Sequence, residues 1–234
     1  MQILSTPEFE AAVAELAPRI AVFDCDGTLW SGDAGSTFMH WSFENGCVAP
    51  TLIPWLKERY RLYLAGEVNE YDICEDMVRV YSGETVGLLR QAAAEFFAEF
   101  IEPNIFPEMK RLVATLQAQG TEIWAVSSTN AWVIEEGVKR FNIPPERVLA
   151  AGASIHSDFV IFEPLMVPTD EFKVKALANA GVTHPDAVFG NSVHDAAMLS
   201  IARKAFPVNP TPALVERSRR EGWAVYYPES VRPA

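Results

Sequence analysis

Ile20-Ala21-Val22-Phe23-Asp24-Cys25-Asp26-Gly27-Thr28-Leu29 decides how the rest of the chain is read. Its first four residues are apolar, with β-branched and aromatic members, the pattern of a buried strand. Two carboxylates, Asp24 and Asp26, stand two residues apart at the strand's end; Gly27 follows where the chain must turn, and Thr28 adds a hydroxyl. Open α/β sheets bind ligands outside the carboxyl ends of their strands. A carboxylate pair there suits a hard cation such as Mg²⁺. It also supplies one group that can attack phosphorus and another that can carry a proton. Asp and Gly are ordinary turn residues too, so a bare Asp-x-Asp-Gly weighs evenly between the two readings. The whole string after a buried strand is far more specific.

Composition bounds what lies around it. The 234 residues are 49% hydrophobic, enough for one large domain or a core with a smaller companion. A net charge of -12 and a pI near 4.8 speak against nucleic-acid binding, which needs a basic footprint. Cys25, Cys47 and Cys74 are unevenly spaced with no Cys-x-x-Cys pair. They predict neither a disulfide framework nor a zinc site, and a reducing, cytoplasmic setting. Cys25, between the carboxylates, reads as a small buried residue rather than a nucleophile. The opening MQILSTPEFEAAVAEL has no basic leader or long apolar core. It predicts a helix capped at Thr6 with Pro7 in its first turn, not a signal peptide. No apolar stretch is long enough to span a bilayer, so no membrane partner is expected.

Outward from the first strand, placed at about 19–24, the chain changes character twice. Residues 33–103 are rich in aromatics and helix formers, with candidate helices over 35–45, 51–65, 69–81 and 85–99, punctuated by Gly46, Gly66 and Gly83. Phe38, Met39, Trp41, Phe43, Phe96, Phe97 and Phe100 read as the helices' own core. From Phe106 helices and strands alternate: helix 107–119, strand 122–127, helix 131–141, strand 147–151, a hairpin over 154–162, helix 171–180, strand 187–190, helix 194–203, strand 204–208, helix 212–222 and strand 223–227. That alternation predicts an α/β fold, a parallel sheet with helices on both faces. The core would be 1–32 with 104–234, and 33–103 a helical insertion after the first strand.

The string Asp24-Cys25-Asp26-Gly27-Thr28-Leu29 resembles the first motif of the haloacid dehalogenase superfamily, most of whose members are Mg²⁺-dependent phosphohydrolases. The resemblance implies a Rossmann-like parallel sheet core with the inserted block as a helical cap over the active site. The family's second motif is a Ser or Thr at a strand end, and Ser127 fits, directly after the apolar run of EIWAVS. By that resemblance Ser127 and the following Ser128 bind a phosphoryl oxygen beside the next helix's N-terminus, with Thr28 and Lys173 as further phosphate contacts. The third motif is a Lys near the start of a helix. Lys173 in Lys173-Val174-Lys175-Ala176-Leu177 has the usual spacing to an apolar residue, with Lys175 the alternative. A cation there offsets charge between Asp24 and the phosphoryl oxygens. The fourth, Gly190-Asn191-Ser192-Val193-His194-Asp195-Ala196-Ala197-Met198-Leu199, is similar to Gly-Asp-Ser-x-x-Asp-x-x-Met-Leu, with Asn191 in place of the first Asp. It implies a Mg²⁺ site of Asp24, Asp26 (through its carbonyl), Asn191 and Asp195, the last orienting Asn191 or a bound water. One charge fewer predicts weaker metal binding. His194 invites a general-base role that Asp26 already fills.

Within the superfamily the chain resembles the phosphoserine phosphatase-like group. Asp33 stands nine residues after Asp24, where those enzymes carry Glu, and Arg79 matches weakly the cap Arg that takes their substrate's carboxylate. Both are expected to bind substrate. The resemblance implies a Mg²⁺-dependent phosphatase acting on a small-molecule phosphomonoester through an aspartyl-phosphate. Asp24 is the nucleophile, Asp26 the acid and base, and Lys173 the charge-offsetting residue. A phosphotransferase using the same intermediate and a non-catalytic phosphometabolite-binding protein remain as alternatives. Dehalogenation, which has no need of Asp26, is disfavoured.

Overall fold

The computed structural model describes residues 1–231, apart from the side chain of Phe162, and the last three residues of the expected core lie outside the described residues. The chain opens with a two-residue strand, β1 (Ile3–Leu4), and α1 (Thr6–Leu16). Ser5, not Thr6, caps α1. Its hydroxyl accepts from the Glu8 amide, while the Glu8 carboxylate takes the Ser5 amide at 2.7 Å. This reciprocal pair satisfies two amides that a capping Thr6 would leave open.

β2 (Ile20–Phe23) leads to the inserted helices α2 (Ala34–Glu44), α3 (Ile53–Leu64), α4 (Glu70–Arg79) and α5 (Val86–Phe96). α5 gives way to one wide turn, Phe97–Ile101, ahead of Pro103, whose missing N–H would break a continuing helix. Then come α6 (Pro107–Ala118), β3 (Glu122–Asn130), α7 (Ala131–Val138), β4 (Val148–Ala151) and the hairpin of β5 (Ala153–His156) with β6 (Phe159–Pro164). The chain closes with α8 (Glu171–Asn179), β7 (Ala187–Gly190), α9 (Ala196–Ser200), β8 (Lys204–Pro207), α10 (Pro212–Glu221) and β9 (Val225–Tyr226). The expected helix 194–203 is shorter, a 3₁₀ turn at Val193–Asp195 followed by α9. The expected strand 223–227 is the two-residue β9, which pairs with β1 outside the main sheet.

The main sheet is parallel throughout, in the order β4-β3-β2-β7-β8. β2 lies at its centre, and its alternate residues divide the helices between two faces. Ala21 and Phe23 pack with α1, α6 and α7 side chains such as Phe9, Val113 and Val133. Val22, with Val126 and Val188, packs with Leu177, Met198 and Leu214 of α8, α9 and α10. Across the sheet Phe23 stacks on Phe189 at 4.2 Å and Phe189 on Phe206 at 5.0 Å. Such contacts add to burial in fixing register.

The helical block is joined to this core along two seams. At the first, the chain entering and the chain leaving the block run antiparallel, with Ser31 N–H donating to Asn104 O at 2.9 Å and Phe106 N–H to Leu29 O at 3.0 Å. At the second, the loop before α5 meets the hairpin: Gly83 N–H donates to Val160 O, Val160 N–H to Glu84 O, and Val86 N–H to Asp158 O. Between them Phe97 meets Trp30 edge-on at 5.3 Å and Tyr81 meets Trp132 at 5.7 Å, so one hydrophobic cluster spans block and core. No helix among the described residues is long and apolar enough to cross a membrane.

Candidate active site

The end of β2 sets the site. Asp24 is tied back to β7 by its amide, which donates to Phe189 O at 2.9 Å. The chain then turns sharply at Gly27, whose φ is +74°, a conformation that favours glycine. A Cβ there would also lie 1.9 Å from the Asn191 side chain. Gly27 thus lets the loop after β7 close against the loop after β2, bringing the first and fourth motifs together.

Lys173 lies beneath. Its ammonium donates to Asp24 Oδ1 at 2.8 Å, Asp195 Oδ1 at 2.6 Å and the Val126 carbonyl at 3.0 Å, which uses all three of its protons. Lysine, Asp24 and Asp195 are all buried. Burial disfavours the Lys173 charge, but the carboxylates of Asp195 and Asp24 outweigh it and hold the ammonium protonated. Asp195 spends its other oxygen on the amides of Asn191 and Ser192, each at 2.9 Å. The alternative Lys175 is exposed and lies over the Phe172 ring.

Burial, then repulsion from Asp195, raises Asp24 to about 7 despite Lys173. Asp26 Oδ1 accepts from Trp30 Nε1 and the Ala34 amide, and its Oδ2 accepts from the Thr129 hydroxyl at 2.7 Å. Burial and the neighbouring charge of Asp33 raise Asp26 to about 6 against those hydrogen bonds. A carboxyl placed so suits proton transfer near neutral pH. Cys25 is fully buried, and burial with the Asp24 charge pushes its thiol well up, so it stays protonated.

A cavity of about 230 Å³ opens over this floor, lined by Asp24, Asp26, Asp33, Ser127, Ser128, Lys173 and Asn191 among others. A larger hollow, about 670 Å³ between α1 and β8, gathers no comparable set of reactive groups. Three expectations change. Thr28 is fully buried, does not line the cavity, and gives its hydroxyl to Asp24 Oδ2 at 3.0 Å, so it steadies the carboxylate instead of reaching a phosphoryl oxygen. Asp195 is sealed under the floor by Lys173 and two amides and does not line the cavity, so it is no direct ligand there, while its bond from the Asn191 amide agrees with the expected orienting role. Arg79, at the far end of α4, pairs with Glu75 and Asp76 and does not line the cavity. Ser127 also stands differently. β3 runs on to Asn130, which caps α7 through the Val133 amide, so Ser127 precedes the helix N-terminus by a full strand segment. Its hydroxyl accepts from the Thr129 amide at 3.1 Å.

Sequence reasoning missed part of the wall. Glu70, Tyr60, Tyr63, Met77 and Thr129 also line the cavity, beside His194, which the fourth motif already brings forward. Thr129 follows Ser127 and Ser128 directly, and that hydroxyl run was its signal. Glu70 opens α4 after its cap Asn69, where an acid reads as a helix-dipole partner, so nothing in the sequence separates it. Among the described residues no three His, Cys, Asp or Glu side chains gather into a metal-holding cluster.

A family model of haloacid dehalogenase-like hydrolases matches residues 21–200. A histidinol-phosphatase of Neisseria meningitidis serogroup C (strain 8013) is 24% identical over 216 residues, covering 88% of this chain and 97% of its own length. Among solved structures, a protein of unknown function from Bordetella pertussis Tohama I superposes with a TM-score of 0.78 at 21% identity, over 89% of this chain and 97% of that one. A phosphoserine phosphatase solved as an analogue of its phospho-aspartyl intermediate superposes with a TM-score of 0.58 at 12% identity, over 90% and 93% of the two chains.

Proposed function

Since the chain belongs to the haloacid dehalogenase-like hydrolases, we propose that it is a Mg²⁺-dependent phosphatase hydrolysing a small-molecule phosphomonoester through an aspartyl-phosphate. The observation that carries this is the buried array Asp24–Lys173–Asp195 beneath a cavity that Asp26 also faces. In the first step an Asp24 carboxylate oxygen bonds to phosphorus. The ester P–O bond breaks, and Asp26 gives its proton to the departing alkoxide. In the second, Asp26 takes a proton from water, the hydroxide attacks phosphorus, and Asp24 leaves with phosphate released. Lys173 keeps Asp24 aimed and offsets its charge, and Ser127 and Ser128 face the phosphoryl oxygens. The helical block, residues 33–103 with the core at 1–32 and 104–234, closes the cavity from water.

Mg²⁺ fits the donor set. Asp24 and Asp195 together exceed the charge of Lys173, which pairs with both, so the floor carries surplus negative charge, and the oxygens facing the cavity are hard donors. Asp24, the Asp26 carbonyl and Asn191 would hold the ion, with waters completing it. Bound there it would offset phosphate charge and align the reacting oxygens.

The names of the relatives point to histidinol phosphate and phosphoserine as esters to try. Phosphate release from both and from p-nitrophenyl phosphate, with Mg²⁺ and with a chelator, tests the reading. Metal-dependent release supports it, and no release from any ester refutes it. Transfer to an added alcohol would instead identify the phosphotransferase, which shares every residue named here.

A further inference from the structure

The phosphoryl group occupies the floor, so the walls meet the alcohol it leaves behind. Those walls come from the helical block: Asp33 at the start of α2, Tyr60 and Tyr63 of α3, and Glu70, Ile73 and Met77 of α4. Their charge is one-sided. Asp33 and Glu70 are acids, and Lys173 is the only Lys or Arg lining the cavity among the described residues. Its three protons are already committed to Asp24, Asp195 and Val126. A carboxylate on the leaving group would meet two like charges, with Lys173 committed and the cavity's His194 held between Glu70 and Asp170, a costly juxtaposition inside a partly enclosed site.

Glu70 is built to receive the opposite charge. Its side chain is 14% exposed, so the carboxylate is largely withdrawn from water and fixed by neutral donors. The Tyr63 hydroxyl donates to Oε2, the Ser128 hydroxyl to Oε1 at 3.3 Å, and the Cys74 thiol lies 3.6 Å from Oε1. Its ion-pair contact among the described residues is His194, with Nε2 at 3.8 Å, and the other ring nitrogen of His194 is engaged by Asp170 at 2.9 Å. The hydrogen bond from Ser128 also ties Glu70 to the end of β3, on the same side as the phosphoryl pocket. Tyr60 and Tyr63, with ring centroids 6.0 Å apart, add π faces that attract a cation. Ile73 and Met77 supply the apolar surface for a short carbon chain.

We propose that the substrate is the phosphate ester of an amino alcohol without a carboxylate, and that Glu70 binds its ammonium group. This rests on the phosphatase reading above and names the substrate class of that same site.

The test compares kcat/KM for esters that differ in these two groups: phosphoethanolamine and histidinol phosphate, with an amine alone; phosphoserine, with both; 3-phosphoglycerate, with a carboxylate alone; and glycerol phosphate, with neither. Each is measured on the wild type and on Glu70→Gln. The amine esters are expected to exceed glycerol phosphate by roughly tenfold or more, the scale of one charge-assisted contact, with 3-phosphoglycerate the poorest. In Glu70→Gln the ratio of amine ester to glycerol phosphate should fall towards one, with the change in KM. That ratio is insensitive to a general loss of folded protein. Equal rates across the panel, or a preference for the carboxylate esters, overturn the substrate class while leaving the phosphatase intact. A ratio that survives Glu70→Gln removes Glu70 as its reader. If no ester turns over, the phosphatase reading fails by itself. Calorimetry on Asp24→Asn then decides the inference, which stands if phosphoethanolamine binds more tightly than glycerol phosphate and falls if they bind alike.

Discussion

Under the proposed mechanism, activity and stability compete in the Asp24 side chain. It is buried beside a second carboxylate with one lysine between them. Replacing it by Asn removes a charge the folded state holds at a cost while keeping the shape. Asp24→Asn should therefore melt above the wild type in metal-free buffer, by a few degrees for each kcal/mol relieved, about 2–4 °C in a chain of this size. It should also lose turnover by about a thousandfold or more, as removal of a nucleophile does elsewhere. Calorimetry and an ester assay check the two halves. A well-folded variant with near-normal activity would mean Asp24 is no nucleophile. Asn191 gives the complementary case. Asn191→Asp would add a carboxylate to the oxygens proposed to hold Mg²⁺, and ligand charge helps set affinity at such sites. Half-maximal activity should then come at lower Mg²⁺ than in the wild type, and equal half-saturation would take Asn191 out of the metal site. Gly27→Ala tests the turn between them. The left-handed backbone alone costs about 1–2 kcal/mol, and the new methyl must displace the Asn191 side chain, which it would approach to 1.9 Å. Activity should fall more than stability, read as a larger drop in kcat/KM than the melting shift accounts for.

At the scale of elements, Asp186 joins three of them. It accepts from the amides of Arg19 and Ile20 at 2.8 and 3.2 Å, at the entrance to β2, and faces Arg19 and Arg203 just before β7 and β8. These partners depress its carboxyl below the ordinary value despite burial. A depressed carboxyl stabilises the fold above its unfolded pKa of about 3.9 and loses that contribution as pH falls through the folded value. Asp186→Asn should flatten the acid limb of the stability–pH curve and lower stability at pH 7, measured by urea denaturation across pH. An unchanged acid limb would show that the amide contacts are replaced by water. Elements are also where the sequence could be read best. β2 was legible because four apolar residues end in two acids, and α2 to α5 because glycines separate amphipathic stretches. The site's floor was legible for the same reason, each motif being a short string at a strand end or helix start. Its walls were not. Whether Glu70 or Arg79 of the same helix faces the cavity depends on how α4 is rolled against β3, and contacts such as Tyr71 on Phe172 at 4.8 Å set that roll. Those contacts join residues far apart in the chain, and no local pattern announces them.

At the scale of the whole molecule, one shared hydrophobic cluster joins the sheet that carries the cavity's floor to the helical block that supplies its walls. Tyr81 illustrates the coupling: it is buried between Phe38 of the block and Trp132 of the core and shares a hydrogen bond with Ser42 at 3.1 Å. Tyr81→Ala should cost about 3–5 kcal/mol, the usual range for a large buried aromatic. It should unfold block and core in a single transition, and two separated melting steps would argue that they are independent. The two seams have a consequence for how such a protein can be rebuilt. The segments that enter and leave the helical block lie side by side, with Ser31 N–H donating to Asn104 O and Phe106 N–H to Leu29 O, so its ends already meet at one point, as a cassette's should. But the loop before α5 is stitched to the hairpin carrying Val160. A foreign block grafted at the paired ends alone would leave that hairpin's edge without its partner. The transferable unit is the block together with 153–164, a discontinuous module, and a chimera exchanging both pieces should recover the melting temperature that an exchange of the block alone forfeits.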